Sequence, residues 1–330
     1  SIFGANAIAG LISLRSVDPQ DHFEKKYSFS RGTDNHYQGN GSLNFIINRG
    51  LSLRFSGMYN YSDGFRKNIY KNVDNSNKKE EIFHRMKVSY KPTSKIDLIS
   101  TFIYANLSNG YDIWSPDNNT DFITFSDDGG EDSQKTYGGS LRFNIFLNKK
   151  AKFTAITSST KTTLVHAYDG DWANDLYWFK EHGFNPEEEG WSYSFYEKNK
   201  KIRKNFTQEL RLTNRNITFG MFYKSMKEQD NADGYLFGGM ATDAVSIYDF
   251  EVLSSYFQYD YYILSNLKLS TNFRIENNRI DYNGTSNGLN EYWEIIELPR
   301  INYNTDHFMV GYRTSLVFNK TNATSFTSSF

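Results

Sequence analysis

Apolar and polar residues alternate along much of this chain with a period of two. Between Leu51 and Ser62 the odd positions carry leucine, phenylalanine, glycine and tyrosine, whereas the even positions carry mostly serine, arginine and asparagine. The same alternation recurs over residues 267–276 and 308–318. Because successive side chains of a β-strand point to opposite faces, the pattern predicts strands with one apolar and one polar face.

The alternation predicts about thirteen strands, most of them longer than the five or six residues usual in soluble domains. A strand tilted across a bilayer needs about 9–11 residues, so these lengths favour strands that span a membrane. The predicted spans are 23–33, 37–47, 51–62, 81–91, 95–107, 134–147, 151–166, 204–214, 216–228, 250–263, 266–280, 304–318 and 322–330.

From the second strand onward, the predicted connections alternate between short and long. The short ones are rich in Asn, Gly and Ser, which tolerate the backbone angles of tight turns. The long ones are 63–80, 108–133, 167–203, 229–249 and 281–303. Short turns at one end and long loops at the other are typical of outer-membrane barrels. The predicted fold class is therefore all-β, a partial transmembrane antiparallel β-barrel, and a soluble β-sandwich with long loops is the alternative.

In such a barrel the apolar face of each strand contacts lipid and the polar face lines the lumen. The odd residues of 51–61, the odd residues of 267–275 and the even residues of 308–318 are accordingly predicted to face lipid. The interleaved arginines are predicted to stay hydrated in the lumen, and they are Arg54, Arg142, Arg274 and Arg313.

Composition narrows the class of protein further. The 37 basic and 38 acidic residues nearly balance, which argues against a nucleic-acid partner. The absence of cysteine excludes disulfides and thiolate metal sites. No apolar run approaches the ~18 residues of a membrane helix. Residues Ser1–Gly10 lack the basic start and apolar core of a signal peptide, so we expect the natural N-terminus to lie upstream.

The first nineteen residues, SIFGANAIAGLISLRSVDP, resemble the end of the plug domain of TonB-dependent outer-membrane receptors. In that family a Tyr-Gly and a small-residue segment lead into a short apolar strand and then the first barrel strand. Phe3 stands for the usual Tyr, and Ser13 and Ser16 stand for the usual Asn and Thr. Gly4 and Gly10 would permit the close backbone packing that the plug needs.

Two later segments resemble the siderophore-receptor branch of the same family, the pesticin and yersiniabactin type. They are the hairpin of Phe206–Leu212 and Phe219–Tyr223, and the segment Tyr256–Tyr259 that leads into the next hairpin. The resemblance implies a plugged barrel of about twenty-two strands. Residues 1–20 would be the C-terminal end of the plug domain, and residues 21–330 would be the N-terminal part of the barrel. The TonB-box segment, most of the plug and the closing strands would lie outside this sequence.

The resemblance also implies a function. The protein is expected in the outer membrane of a Gram-negative bacterium, in contact with outer-membrane lipid. It would take up a scarce ligand, an iron chelate such as a ferric siderophore, with energy supplied by TonB acting on a segment outside this sequence. No enzyme activity, catalytic residue, metal site, cofactor or nucleic-acid partner is expected. Haem, cobalamin or a small glycan are alternative ligands, and a passive porin or an adhesin barrel is the alternative class.

All five tryptophans fall in predicted long loops, where their rings can stack on a ligand or pack the loops and form an interfacial girdle. Nearby Lys180 and Arg203 would attract an anionic chelate, whereas Asp169, Asp171 and Asp175 would oppose it. The predicted ligand-contacting residues are Tyr111, Trp114, Trp172, Tyr177, Trp178 and Trp191.

Two other features of the loops suggest metal chemistry less strongly. The acidic run at residues 127–132 offers the oxygen ligands that hard cations prefer, but its spacing matches no calcium loop and favours a solvated loop tip. A haem receptor would need an axial histidine, and His166 and His182 lie near or in long loops. An exposed or structural role is the more common one for such histidines.

Overall fold

The computed structural model describes residues 14–241, 243–321 and 324–329. The plug-like residues 1–13 therefore lie outside the described residues. The elements in chain order are β1 (Glu24–Arg31), β2 (Tyr37–Asn48), β3 (Leu51–Ser62), β4 (Lys67–Asn68), β5 (Lys79–Thr93), β6 (Ile96–Gly110), β7 (Ile123–Thr124), β8 (Glu131–Phe146), β9 (Ala151–Asp169), α1 (Asp175–His182), α2 (Pro186–Glu189), β10 (Tyr196–Asn214), β11 (Ile217–Leu236), β12 (Met240–Ala241), β13 (Ala244–Leu264), β14 (Leu267–Leu289), β15 (Ile295–Glu297), β16 (Ile301–Thr321) and β17 (Thr324–Ser329).

Thirteen long strands form one antiparallel meander in which each strand pairs with the next long strand along the chain. The order is β1-β2-β3-β5-β6-β8-β9-β10-β11-β13-β14-β16-β17. The short strands β12 and β15 pair onto β11 and β14, and β4 and β7 form a separate two-stranded sheet. The predicted fold class and the predicted thirteen strands are confirmed.

Short turns and long loops alternate along the meander as predicted, but several strands extend further than predicted. The connection predicted at residues 229–249 was wrong in its extent, because β11 and β13 continue until only residues 237–243 separate them. Residues 229–235 pair with 196–202 of β10 although both of their faces are polar. Beyond a bilayer a strand has water on both sides, so its period-two signal disappears while its main-chain hydrogen bonds remain.

The two faces of the sheet have opposite character. Large apolar side chains are exposed on one face, including Phe55, Phe273 and Val310, as predicted for the lipid side. The opposite face buries charged and amide side chains, including Arg54 and Arg274. In water this arrangement would be unfavourable, because apolar area gains free energy only when it leaves water. A lipid environment removes that conflict. In the described part of the chain, no helix has the length and apolarity to cross a membrane.

The segment before β1 lies against the polar face. Lys87 of β5 donates a 2.8 Å hydrogen bond to the Asp18 carboxylate, and Arg142 of β8 donates another of 2.9 Å. Asn44 of β2 exchanges two 3.0 Å hydrogen bonds with the backbone of Gln20. Burial raises the pKa of Asp18, but the hydrogen bonds from Lys87, Arg15 and Arg142 outweigh burial and hold that pKa well below its usual range. The chain is thus anchored to three separate strands before it enters the sheet.

Candidate ligand-binding loops

Five connections lie at the same end of the sheet as the short β1–β2 turn at residues 32–36, and we call these five the outer loops. Their residues are 63–78, 111–130, 170–195, 237–243 and 290–300. All five tryptophans, at 114, 172, 178, 191 and 293, fall within them. The outer loops are therefore the aromatic-rich end of the molecule, and the short turns at the other end contain no tryptophan.

The first two outer loops are joined by buried polar side chains. Asn68, which is almost fully buried, donates a 2.7 Å hydrogen bond to the carbonyl of Ser126. Arg66 donates from Nε to the carbonyl of Ile113 at 2.7 Å and from Nη1 to the carbonyl of Ile123 at 2.8 Å. Together with the β4–β7 pairing, these bonds make one rigid unit of the two loops.

The third outer loop folds locally because its sequence carries two helix-start signals. Asn174 caps α1, and its side-chain oxygen accepts a 3.0 Å hydrogen bond from the backbone N–H of Tyr177. Asn185 followed by Pro186 starts α2 in the same way. The amide of Asn174 also donates to the carbonyl of Phe125 at 2.6 Å. This bond connects the third outer loop to the second.

Three of the predicted ligand-contacting residues belong to a continuous chain of packed rings. Tyr177 contacts Trp178 edge to face at 5.3 Å, and Trp178 contacts Tyr193 at 4.5 Å. Trp191 packs on Tyr193 at 6.0 Å and on Phe237 of the fourth outer loop at 5.1 Å. Edge-to-face and tilted pairs of this kind stabilise packing beyond simple area burial. These packed rings form a small aromatic core that holds the third and fourth outer loops together.

The other three predicted residues lie apart from this core. Trp114 and Trp172 form a pair with ring centroids 5.9 Å apart and an angle of 30° between the rings. Both remain accessible, with 52% and 37% of their surface exposed. Tyr111 lies elsewhere, with its ring edge to face against His166 at 4.5 Å. The Trp114–Trp172 pair is the most accessible flat aromatic surface that the predicted residues form.

A buried acid pair, Asp169 and Asp171, supports both aromatic groups. One oxygen of Asp169 accepts from the backbone N–H groups of Asp171 at 3.1 Å and Trp172 at 2.9 Å. Asp171 accepts from the indole Nε1 of Trp178 at 2.8 Å and from the backbone of Phe195 at 3.0 Å. Asp169 is only 3% exposed, and its second oxygen has no hydrogen-bond partner among the described residues.

Burial and neighbouring carboxylates change the acidity of this region. Burial, with the adjacent Asp171 carboxylate and then Asp127, raises the pKa of Asp169 well above its ordinary value. Burial, with Asp128 and Asp171 nearby, raises the pKa of Asp127 to about 6. No described lysine, arginine or histidine lies within salt-bridge distance of Asp127 or Asp169, so no positive charge offsets the burial that raises their pKa values.

The charged residues named from the sequence do not form one site. Arg203 lies on β10 and pairs with Glu228 of β11 at 2.5 Å, whereas Lys180 lies in the last turn of α1. In the acidic run, Asp128 accepts from the Tyr235 hydroxyl and Asp132 approaches His166 at 3.8 Å. Within the described ranges, no three His, Asp or Glu side chains are placed to hold a metal ion. The run therefore spreads over separate contacts.

Sequence reasoning missed two parts of this region. The rings of Phe184 and Phe237 complete the aromatic core, and only their folded neighbours identify them. The structural role of Asp169 and Asp171 was also missed, because the sequence suggested only that they oppose an anionic ligand. The two helices could have been predicted, because Asn174 before α1 and Asn185-Pro186 at α2 are common helix-start residues.

A long antiparallel meander with an apolar outer face, a polar inner face and aromatic loops at one end defines the class of outer-membrane β-barrels. Solved structures of TonB-dependent siderophore receptors have this fold. The ferric yersiniabactin uptake receptor FyuA from Yersinia pestis matches 93% of this chain and 46% of its own, with a TM-score of 0.72 and 11% identity. The siderophore receptor PiuA from Acinetobacter baumannii matches 95% and 50%, with a TM-score of 0.67 and 12% identity.

A third solved structure agrees with these two. The open form of the ferric-catecholate import receptor Fiu from E. coli K12 matches 93% of this chain and 54% of its own, with a TM-score of 0.63 and 13% identity. The chain therefore spans about half the length of these receptors. No protein-family model and no curated protein sequence matches the chain. The predicted resemblance to the siderophore-receptor branch is confirmed at the level of the fold.

Proposed function

We propose that this chain is part of a TonB-dependent outer-membrane receptor that takes up a ferric siderophore. The observation that carries the proposal is the match of nearly the whole chain to siderophore receptors in strand order and fold. The exposed apolar face supports a location in the outer membrane, because lipid acyl chains can contact these side chains without the free-energy cost of exposing them to water. The protein would act by binding and translocation, so it needs neither catalytic residues nor a cofactor.

TonB-dependent receptors carry an N-terminal plug domain inside the barrel, whereas passive porins do not. We propose that residues 1–20 end a plug domain and that residues 21–330 begin the barrel. The contacts of Asp18 with Lys87 and Arg142 support this division, because they fasten the preceding segment inside the polar face. A porin lumen must stay open to water and has no need for such an anchor. Contact with TonB would be made by a segment outside this chain.

The ligand would first meet the outer loops, and we assign different roles to the six aromatic residues. Trp114 and Trp172 present an accessible paired surface on which a flat or cyclic chelate can stack. Tyr177, Trp178 and Trp191 are engaged with other rings and would support the loops from behind. Tyr111, held by His166, lies nearer the strand ends and would contact a ligand that has moved inward.

The test uses the intact receptor in cells and measures uptake of ferric chelates labelled with radioactive iron. We expect uptake to require TonB, and we expect Trp114→Ala with Trp172→Ala to weaken ligand binding by about tenfold or more, as loss of central aromatic anchors does. Phe65→Ala, which removes an exposed ring from the first outer loop, is the matched control. Uptake that persists at the same rate without TonB would remove the active-transport proposal.

The same assay separates the alternative ligands. Haem, cobalamin or a small glycan would be recognised by uptake of that compound with no TonB-dependent uptake of any ferric siderophore tested. If the double tryptophan variant binds its siderophore like wild type, the contact surface lies elsewhere and the assignment of Trp114 and Trp172 is wrong.

A further inference from the structure

Three lysines lie directly opposite one another on neighbouring strands. Lys204 of β10 is paired in register with Lys161 of β9 on one side and with Lys227 of β11 on the other. We call these three residues the lysine row. Directly opposed residues of antiparallel strands have Cβ atoms about 4.5–5.5 Å apart, and like charges at that separation are destabilising. Three ammonium groups placed in this way therefore destabilise the sheet unless an anion binds between them.

The lysine row lies on the apolar, lipid-side face of the sheet. Lys204 lies an even number of residues from the exposed Phe206 and Leu210 of β10, so the three side chains are on the same face of that strand. Lys227 is likewise on the same face of β11 as the exposed Met221. All three lysines are exposed. Their side chains thus project from the wall that contacts the membrane, just above a stripe of apolar residues.

The row lies about one membrane thickness from the short-turn end of the sheet. Lys161 is ten residues beyond Ala151 at the start of β9, and Lys227 is ten beyond Ile217 at the start of β11 (161 − 151 and 227 − 217). Lys204 is likewise ten residues before Asn214 at the end of β10 (214 − 204). Ten residues at ~3.3 Å, on a strand tilted by ~40°, rise about 25 Å, which is the height of the apolar band of an outer-membrane barrel.

Two of the three lysines in the row have no carboxylate partner among the described residues, in contrast to the other face of the same strands. In the described part of the chain, no Asp or Glu forms a salt bridge with Lys161 or Lys204. Lys227 differs, because Asp249 lies directly opposite it on β13 and contacts it at 3.3 Å. On the polar face, Lys201 contacts Glu228 at 3.4 Å and Asp230 at 3.2 Å. The fold therefore neutralises its inward lysines with its own acids and leaves most of the outward row without them.

We propose that Lys161, Lys204 and Lys227 bind the phosphate groups of an outer-leaflet lipid. The proposal rests on the proposed outer-membrane location. An ammonium group at the membrane edge offers three donors to a phosphate, while Phe206 and Leu210 below it contact acyl chains. A phosphorylated lipid satisfies the row and the apolar stripe together, whereas free phosphate would leave the stripe unused. Lys135 and Lys200, exposed further out, extend the positive field.

The test measures lipid binding to the purified intact receptor in detergent by native mass spectrometry. The probes are bisphosphorylated lipid A, the same lipid after enzymatic removal of its phosphates, and inorganic phosphate. We expect tight binding of the first probe alone. Lys161→Gln with Lys204→Gln should weaken that binding by about tenfold or more, since each basic residue near an anionic surface contributes appreciably. Lys149→Gln, in the short turn at the opposite end, is the matched control.

Each contrary result is informative. Equal binding of the dephosphorylated lipid, or wild-type affinity in the double variant, would overturn the proposal. Competition by inorganic phosphate at the same concentration as lipid A would also overturn it, because the site would then recognise a free anion. These outcomes are independent of transport. The double variant should keep wild-type uptake of its ligand, whereas failure of the proposed function would appear as absent uptake in the wild-type receptor.

Discussion

At the scale of single residues, the backbone of Trp172 shows how the accessible tryptophan pair is held. Its φ of 61° lies in the left-handed region, which is unfavourable for a bulky side chain. The Asp169 carboxylate compensates by accepting the Trp172 N–H. The buried Asp169 carboxylate thus positions the exposed Trp172 ring, so the stability of the loop depends on the protonation of Asp169 and therefore on pH.

The first prediction concerns that response. The pKa of Asp127 is raised to about 6, and burial beside Asp171 also raises the pKa of Asp169. A carboxyl whose pKa is higher when folded binds more protons in the folded state, so its stabilising contribution is present at low pH and declines as the pH rises. We expect the outer loops to lose stability from about pH 4 upward through pH 6 and beyond. Urea unfolding followed by tryptophan fluorescence reports on these loops, because every tryptophan lies in them.

Substitutions test whether the buried pair is responsible. Asp169→Asn keeps an oxygen for the Trp172 N–H and adds a donor toward Asp171, so it should flatten the pH dependence and raise loop stability at pH 8. Asp121→Asn changes an exposed carboxylate of the second outer loop and should leave the dependence unchanged. A wild-type profile in Asp169→Asn would mean that other groups control loop stability.

At the scale of strands, the polar face of the sheet is held by cross-strand pairs of unequal size. Gly220 of β11 lies opposite Tyr256 of β13, and the tyrosine ring covers the glycine. The Tyr256 hydroxyl contacts Glu209 and Arg211 of β10. One aromatic side chain therefore connects three strands, and it can do so because its neighbour has no side chain.

The second prediction follows from this packing. A methyl group at Gly220 would overlap the Tyr256 ring, so Gly220→Ala should force the ring out and lower the free energy of unfolding by about 1–3 kcal/mol, the usual cost of overpacking. Gly39→Ala on β2 is the control, because a methyl group there meets nothing within 4 Å. Urea unfolding of the intact protein in detergent gives both values. An unchanged midpoint for Gly220→Ala would show that Tyr256 can move without cost.

At the scale of the whole molecule, the segment before β1 is connected to the barrel wall through few but strong contacts. Asp18 accepts hydrogen bonds from Lys87 and Arg142, which lie on strands β5 and β8. Hydrogen bonds to charged groups contribute about 1.5–3 kcal/mol each. Under the proposed function, in which this segment ends a plug that moves during transport, these contacts are among those that must break.

The third prediction tests this anchor. Asp18→Asn should weaken the charged contacts with Lys87 and Arg142 and increase the rate at which a cysteine introduced at Gln20 reacts with a soluble thiol reagent in the intact protein. Asp21→Asn changes an exposed carboxylate of the same segment and serves as the control. Equal labelling rates in Asp18→Asn and in the parent protein would show that Asn44 and the remaining backbone contacts are sufficient.

The strands, their two faces and the alternation of turns and loops follow from the amino-acid sequence alone. These features are local: the direction of a side chain follows from its position along a strand, and a lipid-facing wall needs apolar residues at alternate positions. The predicted β3, at 51–62, agrees with the structure to the residue. The sequence-based prediction failed at the outer ends, as in β11, where water on both faces removes the alternation.

Which distant residues meet follows from the folded structure and not from any local pattern. The separation of Trp114 and Trp172 from the aromatic core, the buried pair of Asp169 and Asp171, and the alignment of the lysine row depend on register and on loop packing between segments far apart in the chain. A shift of one residue in strand register would turn Lys204 to the opposite face. Such relations involve pairs of strands, so no periodicity within a single strand can reveal them.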